Sequence, residues 1–372
     1  GRFMTNLKFA ELEKAFRNND FPLIEDDDRG VRFLKLRSMS RKATMEEFCE
    51  IHDIDLDGFK SKDYLGHVFQ NNDITDSIIN NFINQKYQEE RAGRSNNQDY
   101  LVDQLNRLQY FDWGGSFGNS LEKNIVNNYV KKIQSYEKIN EEIEGSLLTS
   151  LRGYTLNSWY NHWTSIIIED LFKDHDTVLP TVGLVKKIDF FISDIPFDLK
   201  VTYFPEQLLA DKLKDNGYGN ELTMLKRICR KLKIFIPDDL NPKGLKLHLY
   251  GKVSEDQRAD AKEFIATLKQ EKREIIQEAE NDPAELKKWL YENQGEARFD
   301  ASNRFFLVLT DETDMSNSWK LKRNIVFLRD RIASHLDNLS MDMASLETTF
   351  YWKLDKKTYS CKSDILFLKY GE

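Results

Sequence analysis

The stretch that most constrains this chain is 185–205, VKKIDFFISDIPFDLKVTYFP. It reads as two apolar strands joined by the turn residues Ser193, Asp194, Ile195 and Pro196. Side chains alternate across a strand. On the second strand Phe197, Leu199, Val201 and Tyr203 therefore point one way, and Asp198, Lys200 and Thr202 the other. On the first, Ile188, Phe190 and Ile192 face the core and Asp189 lies opposite them. A four-residue loop pairs Ile192 with Phe197, Phe191 with Asp198, and Asp189 with Lys200. Directly opposed Cβ atoms sit roughly 4.5–5.5 Å apart, so Asp189 is expected across from Lys200, with Asp198 on the same face. An odd loop without a bulge would split these charges between the two faces.

Two carboxylates and a lysine on one face of an apolar hairpin are costly to bury without a use. Carboxylates at this spacing suit a hard divalent cation such as Mg²⁺, which takes oxygen ligands and keeps several waters. A lysine beside them can orient or deprotonate an attacking water, or stabilise charge developing on a phosphate. An ion pair on an edge hairpin is the plainer alternative. The apolar flanks point instead to a central, covered hairpin.

Asp189, followed on the next strand by Asp198-Leu199-Lys200, resembles the signature of the PD-(D/E)xK nucleases. That superfamily includes type II restriction endonucleases, resolvases and repair nucleases. Ile188 stands where the family name has proline. The resemblance covers 153–205 well and the rest of the chain by topology alone. It implies a helix, a three-strand meander, a helix and another strand, with an acidic residue on the first helix completing the metal site. Glu169, on the helix expected over 155–172, takes that slot, although Asp170 is its neighbour. The implied metal ligands are Asp189, Asp198 and Glu169, and Lys200 joins them as the fourth catalytic residue. The implied fold is α/β (α+β), a restriction-endonuclease-like mixed central sheet flanked by helices. The implied activity is Mg²⁺-dependent hydrolysis of double-stranded DNA, with Mn²⁺ as an expected substitute, by a bacterial restriction-type endonuclease. One rival is a catalytically inactive nuclease-fold protein that binds DNA or serves assembly. Another is a partner-binding protein that uses charged helices at 252–298.

A chain of 372 residues suggests two or three domains. A mostly helical region, 1–145, is expected to contribute DNA contacts or a homodimer surface. It precedes a nuclease domain, 146–372, with a charged helical insertion at 252–298. The formal net charge of −8 is not that of a basic nucleic-acid binder. Phosphate affinity must then come from local patches. The candidates are Lys226, Arg227, Arg230 and Lys231 on a helix at 220–232, and Lys320, Lys322 and Arg323 on a helix at 318–339. Cys49, Cys229 and Cys361 have no metal or disulfide spacing, which suggests a reducing, cytoplasmic setting. No apolar run reaches transmembrane length and no secretory signal is read, so no membrane partner is expected.

The remaining elements follow from periodicity and caps. Helices are expected at 4–20, 62–70, 73–91, 98–111 and 119–144, the last stopping at Gly145. Another should start at a capping box, Thr44 to Glu47. Strands are expected at 31–36, 245–250 and 304–310, the last buried in the sheet. Helices at 255–280 and 283–293 read as an exposed hairpin, and 348–354 pairs with 364–370. Asp53, Asp55, Asp57 and Gly58 imitate a calcium loop, but Tyr64 stands where its bidentate glutamate belongs. The glycine-rich 113–118 lacks the Gly-Lys-Ser/Thr ending of a phosphate loop. His162 is either a phosphate contact or a hydrogen-bonded core histidine.

Overall fold

A computed structural model describes residues 6–111, 121–185, 187–293 and 302–371. The first part is helical: α1 (Phe9–Arg17), α2 (Phe21–Glu25), α3 (Gly30–Ser38), α4 (Lys42–Ile51), α5 (Tyr64–Gln70), α6 (Asp76–Ser95) and α7 (Gln98–Leu105). After α8 (Leu121–Ile125) and α9 (Tyr136–Glu142), the long α10 (Leu148–Lys173) leads into β1 (Val178–Val185), β2 (Ile188–Ile192) and β3 (Ile195–Tyr203). Helices α11 (Glu206–Asp215), α12 (Glu221–Leu232), α13 (Pro242–Glu255), α14 (Ala259–Asn281) and α15 (Ala284–Asn293) connect β3 to β4 (Arg304–Asp311). A 3₁₀ segment, Met315–Arg323, then α16 (Ile325–Asp337) and α17 (Met343–Leu346) precede β5 (Glu347–Trp352) and β6 (Lys357–Tyr370).

The described strands form one mixed sheet in the order β1-β2-β3-β4-β6-β5. β1, β2 and β3 make an antiparallel meander. β3, β4 and β6 run parallel, and β5 returns antiparallel on β6. β4 is buried at all eight positions, as its nearly continuous apolar sequence demands. Its Phe305, Leu307 and Leu309 pack with Ile167 and Ile168 of α10 and Leu328 and Ile332 of α16. Its Phe306 and Val308 face the other way, onto Leu209, Ile276, Leu290 and Tyr291 of α11, α14 and α15.

That second face has two separate covers. Over β1 and β2, residues Val182, Val185, Ile188 and Phe191 share a core with Phe33, Phe48, Phe69 and Ile83 of the N-terminal helices. Over β4 and β6 the cover is α11, α14 and α15. Asp198, Lys200 and Thr202 of β3 sit beside Arg304, Phe306 and Val308 in the parallel register. They therefore lie on this face, between the two covers. Helices α12 and α13 and the start of α14 form a small core of their own around Leu225, Cys229, Leu249 and Ile265.

Several expectations are corrected. Residues 31–36 are helical within α3, not a strand. A run of six mostly apolar residues fits either period, and here Phe33, Leu34 and Leu36 are all buried by the surrounding helices. Residues 245–250 lie inside α13, which Asn241 caps by accepting from Gly244 N at 2.7 Å and which buries Leu245, Leu249 and Val253 on one stripe. α4 begins at Lys42 without a side-chain cap, so the box at Thr44 is not used. Gly145 lies in a π-helical turn, Ile143–Leu147, that runs on into α10 and does not end the helix. The helix expected at 119–144 is itself interrupted between Val130 and Tyr136. α14 and α15 are no exposed hairpin, because Ile275, Ile276, Leu286, Leu290 and Tyr291 are buried against the sheet. The helix at 318–339 breaks at Asn324, whose side chain caps α16 from Phe327 N. Asp364 to Tyr370 pairs with β4, while β5 pairs with the earlier half of β6. The glycine-rich 113–118 lies outside the described residues. No described helix is long and apolar enough to cross a membrane.

The shared core makes the helical cover indispensable to β2. Phe191 is 1% exposed within it. Phe191→Ala should lower stability by about 3–5 kcal/mol, read by denaturant unfolding. A loss under about 1 kcal/mol would mean that this face is loosely packed.

Candidate active site

The β2–β3 turn is only two residues long. Ser193 and Asp194 both have left-handed backbone, with φ of 49° and 63°. Two successive positive φ values match the turn whose twist suits a tight hairpin. The register is then Ile192 with Ile195, Phe191 with Pro196 and Phe190 with Phe197. This loop is even, so the expected sharing of a face survives. It is also two residues shorter than expected, so Asp189 comes opposite Asp198 rather than Lys200. Asp194 accepts from Lys35 Nζ at 2.8 Å, and Lys35 is 1% exposed, so α3 clamps the turn.

Beyond Phe190 and Phe197 the two strands part. β3 continues beside β4, and Leu199 N donates to Asp189 Oδ2 at 2.6 Å in place of a ladder bond. The Asp189 carboxylate thus occupies the fork. Its backbone carbonyl accepts from Thr181 Oγ1 of β1 at 3.1 Å. Burial above all, then the charges of Glu169 and Asp198, pushes the Asp189 carboxyl up to about 8. The Leu199 N–H opposes this, and a hydrogen bond shared with Asp198 adds to it. At neutral pH the Asp189 carboxyl therefore keeps its proton, as a buried carboxyl beside like charge does. Lys200 Nζ lies 3.2 Å from Asp198 Oδ2, with the Asp198 side chain 12% exposed and that of Lys200 50%. The lysine is anchored at its acid and open to solvent.

Glu169 reaches toward the fork from α10, close enough to raise Asp189, but its carboxylate is ion-paired with Lys173. Asp170 does different work. It takes two 2.8 Å hydrogen bonds from Arg94 and ties α6 to α10. His162 is exposed and edge-on to Trp163, and its carbonyl accepts from Ser165 Oγ. It is not a core histidine.

The basic residues divide. On α12, Arg227 and Arg230 are exposed, Lys226 is half-buried and Lys231 pairs with Asp260 at 3.2 Å. In the 3₁₀ segment, Arg323 donates to Leu105 O and Leu108 O and lies over the Trp319 ring, fastening α7 to the core. Lys322, half-buried, donates to Asn161 Oδ1 at 3.3 Å and lies over the Tyr203 ring, and desolvation pulls it down to about 8. Lys320 rests over Trp319. These three do not form a free basic stripe.

Three residues went unread in the sequence. Asp198 N donates to Asn303 O at 2.9 Å. The Asn303 amide donates to Pro196 O and to Glu25 of α2, and accepts from Lys362 N of β6. Burial raises the Glu25 carboxyl, opposed by Lys362 at 3.6 Å. Pairing across 278 positions leaves no local signal.

Among the described residues no group of three His, Cys, Asp or Glu stands close enough to hold a metal ion. The donor chemistry still fits a hard cation in a sparer form. Mg²⁺ is often held by one or two carboxylates, with waters and a substrate phosphate filling its shell. Asp189 and Asp198, mutually repelling once ionised, are such a pair. Comparison of the chain with protein-family models, curated proteins and solved structures found no match in any of the three.

The pH dependence follows from Asp189. Its carboxyl keeps a proton in the folded chain up to about 8, against 3.8 when free. The folded state then binds more protons between these values, so stability falls as pH rises through that window. Asp189→Asn removes this loss. Denaturant unfolding at about pH 5 and about pH 9 should show the wild type losing stability that the variant keeps. Equal slopes would reject a protonated Asp189.

Proposed function

We propose that the chain is a divalent-metal-dependent endonuclease that hydrolyses phosphodiester bonds of double-stranded DNA, built on a restriction-endonuclease-like core. One observation carries this reading. Asp189 stands at the fork of β2 and β3, where it accepts from Leu199 N at 2.6 Å next to Asp198, and Lys200 stands 3.2 Å from Asp198. The meander after α10 and the parallel β4 beside β3 fit the order of elements that the resemblance implies.

In this reading Asp189 and Asp198 would hold the metal, and Glu169 would join them by releasing Lys173. A bound divalent cation supplies a water of lowered pKa and neutralises phosphate charge. The Lys200 ammonium would keep one N–H at Asp198 and offer its others to the incoming phosphate. As an ammonium it donates hydrogen bonds, so it orients the attacking water and steadies the charge that develops on the phosphate oxygens. The half-buried setting of the site, between two helical covers, limits competing water. The exposed Arg227 and Arg230 are the better candidates for phosphate contacts outside it.

Cleavage of mixed duplex DNA with Mg²⁺, read by sequencing fragment ends, tests the reading directly. Asp198→Asn should lose metal affinity and activity together. Lys200→Ala should keep Mn²⁺ binding and thermal stability while cleavage falls on the order of 10²–10³-fold. Normal melting, normal metal binding and near-parental cleavage in Lys200→Ala would remove this hairpin as the active site. DNA binding without cleavage, with Asp189→Ala binding Mn²⁺ as well as the wild type, would instead mark a nuclease-fold binding protein.

Metal should also compete with the Asp189 proton, since ligand carboxylates must ionise. Mn²⁺ affinity is therefore expected to rise between about pH 6 and about pH 8, the more steeply the tighter the proton is held. A flat profile by calorimetry would exclude ligation by this pair.

A further inference from the structure

A cavity of about 650 Å³ opens at the carboxyl ends of β3 and β4, under α11, α13 and α14. Ligand crevices of open α/β sheets lie outside the carboxyl ends of parallel strands. The volume falls in the range of small-molecule sites, which are mostly apolar with a few polar groups that fix orientation. Tyr250 and Trp289 supply ring surface in its wall.

Among the described residues, one buried hydroxyl in the wall has no hydrogen bond and two lysines have no ion pair. Thr310 is 1% exposed, and its hydroxyl makes no hydrogen bond among the described residues. A buried hydroxyl left unpaired is destabilising, so it marks a place where a ligand group completes the site. Lys246 and Lys269 line the same cavity half-buried, and neither has an ion pair among the described residues. Two further pairs of charges in the wall match each other. Lys272 lies 2.9 Å from Glu221, and Arg273 lies 3.6 Å from Glu312. Asp314 is taken up by Ser316 and Asn317. Counted over the lining, Lys243, Lys246, Lys269, Lys272 and Arg273 stand against Glu206, Glu221, Glu312 and Asp314, a surplus of one positive charge that favours an anion.

We infer that this cavity binds a nucleoside monophosphate, its base against Tyr250 and Trp289 and its phosphate held by Lys246 and Lys269. The Thr310 hydroxyl then hydrogen-bonds a polar group of the ligand. Thr202, in the cavity wall, is two residues beyond Lys200 on the same face of β3. That step is roughly 6.5 Å, so the nucleotide has two sources. It is either free in solution or an unpaired nucleotide of a strand lying over the acid pair. The second source rests on the nuclease reading, and the first does not.

The test is calorimetry and thermal shift on the full chain with the four 5′-mononucleotides, without metal. At least one should bind with a Kd of about 1 mM or tighter and raise the melting temperature. The Lys246→Ala/Lys269→Ala double variant should melt normally and bind at least roughly tenfold more weakly. Thr310→Val should be as stable as the wild type or more so, because it deletes an unpaired hydroxyl, yet bind more weakly. Asp198→Asn should bind as the wild type does, which separates this site from the acid pair. Competition by a duplex with one unpaired nucleotide, and not by a fully paired one, assigns the strand as source; no competition by either assigns the free nucleotide. No binding of any of the four at about 10 mM, or equal binding by the double-lysine variant, overturns the proposal.

Discussion

The turn at Ser193 and Asp194 is the constraint on which the site depends. Two residues with positive φ close the hairpin, and Lys35 holds the turn from α3. A buried lysine without its carboxylate would be an uncompensated charge, so this contact ties the N-terminal helices to one register of the sheet. That register places two aspartates face to face. A loop longer by two residues would have neutralised Asp189 against Lys200. The shorter one leaves it buried beside like charge, and the carboxyl keeps its proton.

The fork below the turn is the second consequence. β3 leaves β2 to pair with β4, whose eight buried residues demand neighbours on both edges and helices on both faces. The parting would leave Leu199 N without a ladder acceptor, and the Asp189 carboxylate takes its place. Main-chain pairing and the acid pair are therefore one arrangement. The Glu25–Asn303–Lys362 group holds the same, turn-proximal end of β3, where it joins α2, β4 and β6 around the strand that carries Asp198 and Lys200.

The two covers on one sheet face locate the site proposed for phosphate chemistry in a chain of net charge −8. Each cover buries its own part of the sheet and leaves β3 between them. Lys200, Lys246 and Lys269 are locally placed cations in an acidic surround, so field at the site is set by neighbours within a few ångströms rather than by net charge.

How much of this was legible in the sequence differs by element. The run at 304–310 reads as a buried strand, because its five successive apolar residues, 305–309, need cover on both faces. The alternation at 197–203 had to put Asp198 and Lys200 on one face, since side-chain direction in a strand is set by the backbone. These readings rest on local geometry, and both hold. Sequence also brought Asp189 to that face, by parity alone. It did not settle which residue Asp189 opposes, because turn length turns on two backbone dihedral pairs that Ser193 and Asp194 adopt only with Lys35 and the strand twist to stabilise them. Segments 31–36 and 245–250 were short enough to fit two periods, and burial among helices far away in the chain chose the helix. Glu169 was placed on the right helix, but its pairing with Lys173 depends on side-chain choice, not on position. The proton kept by Asp189, the bridge through Asn303 and the cavity under α14 come from groups distant in sequence meeting in a low-dielectric interior, and only the packed structure brings them together.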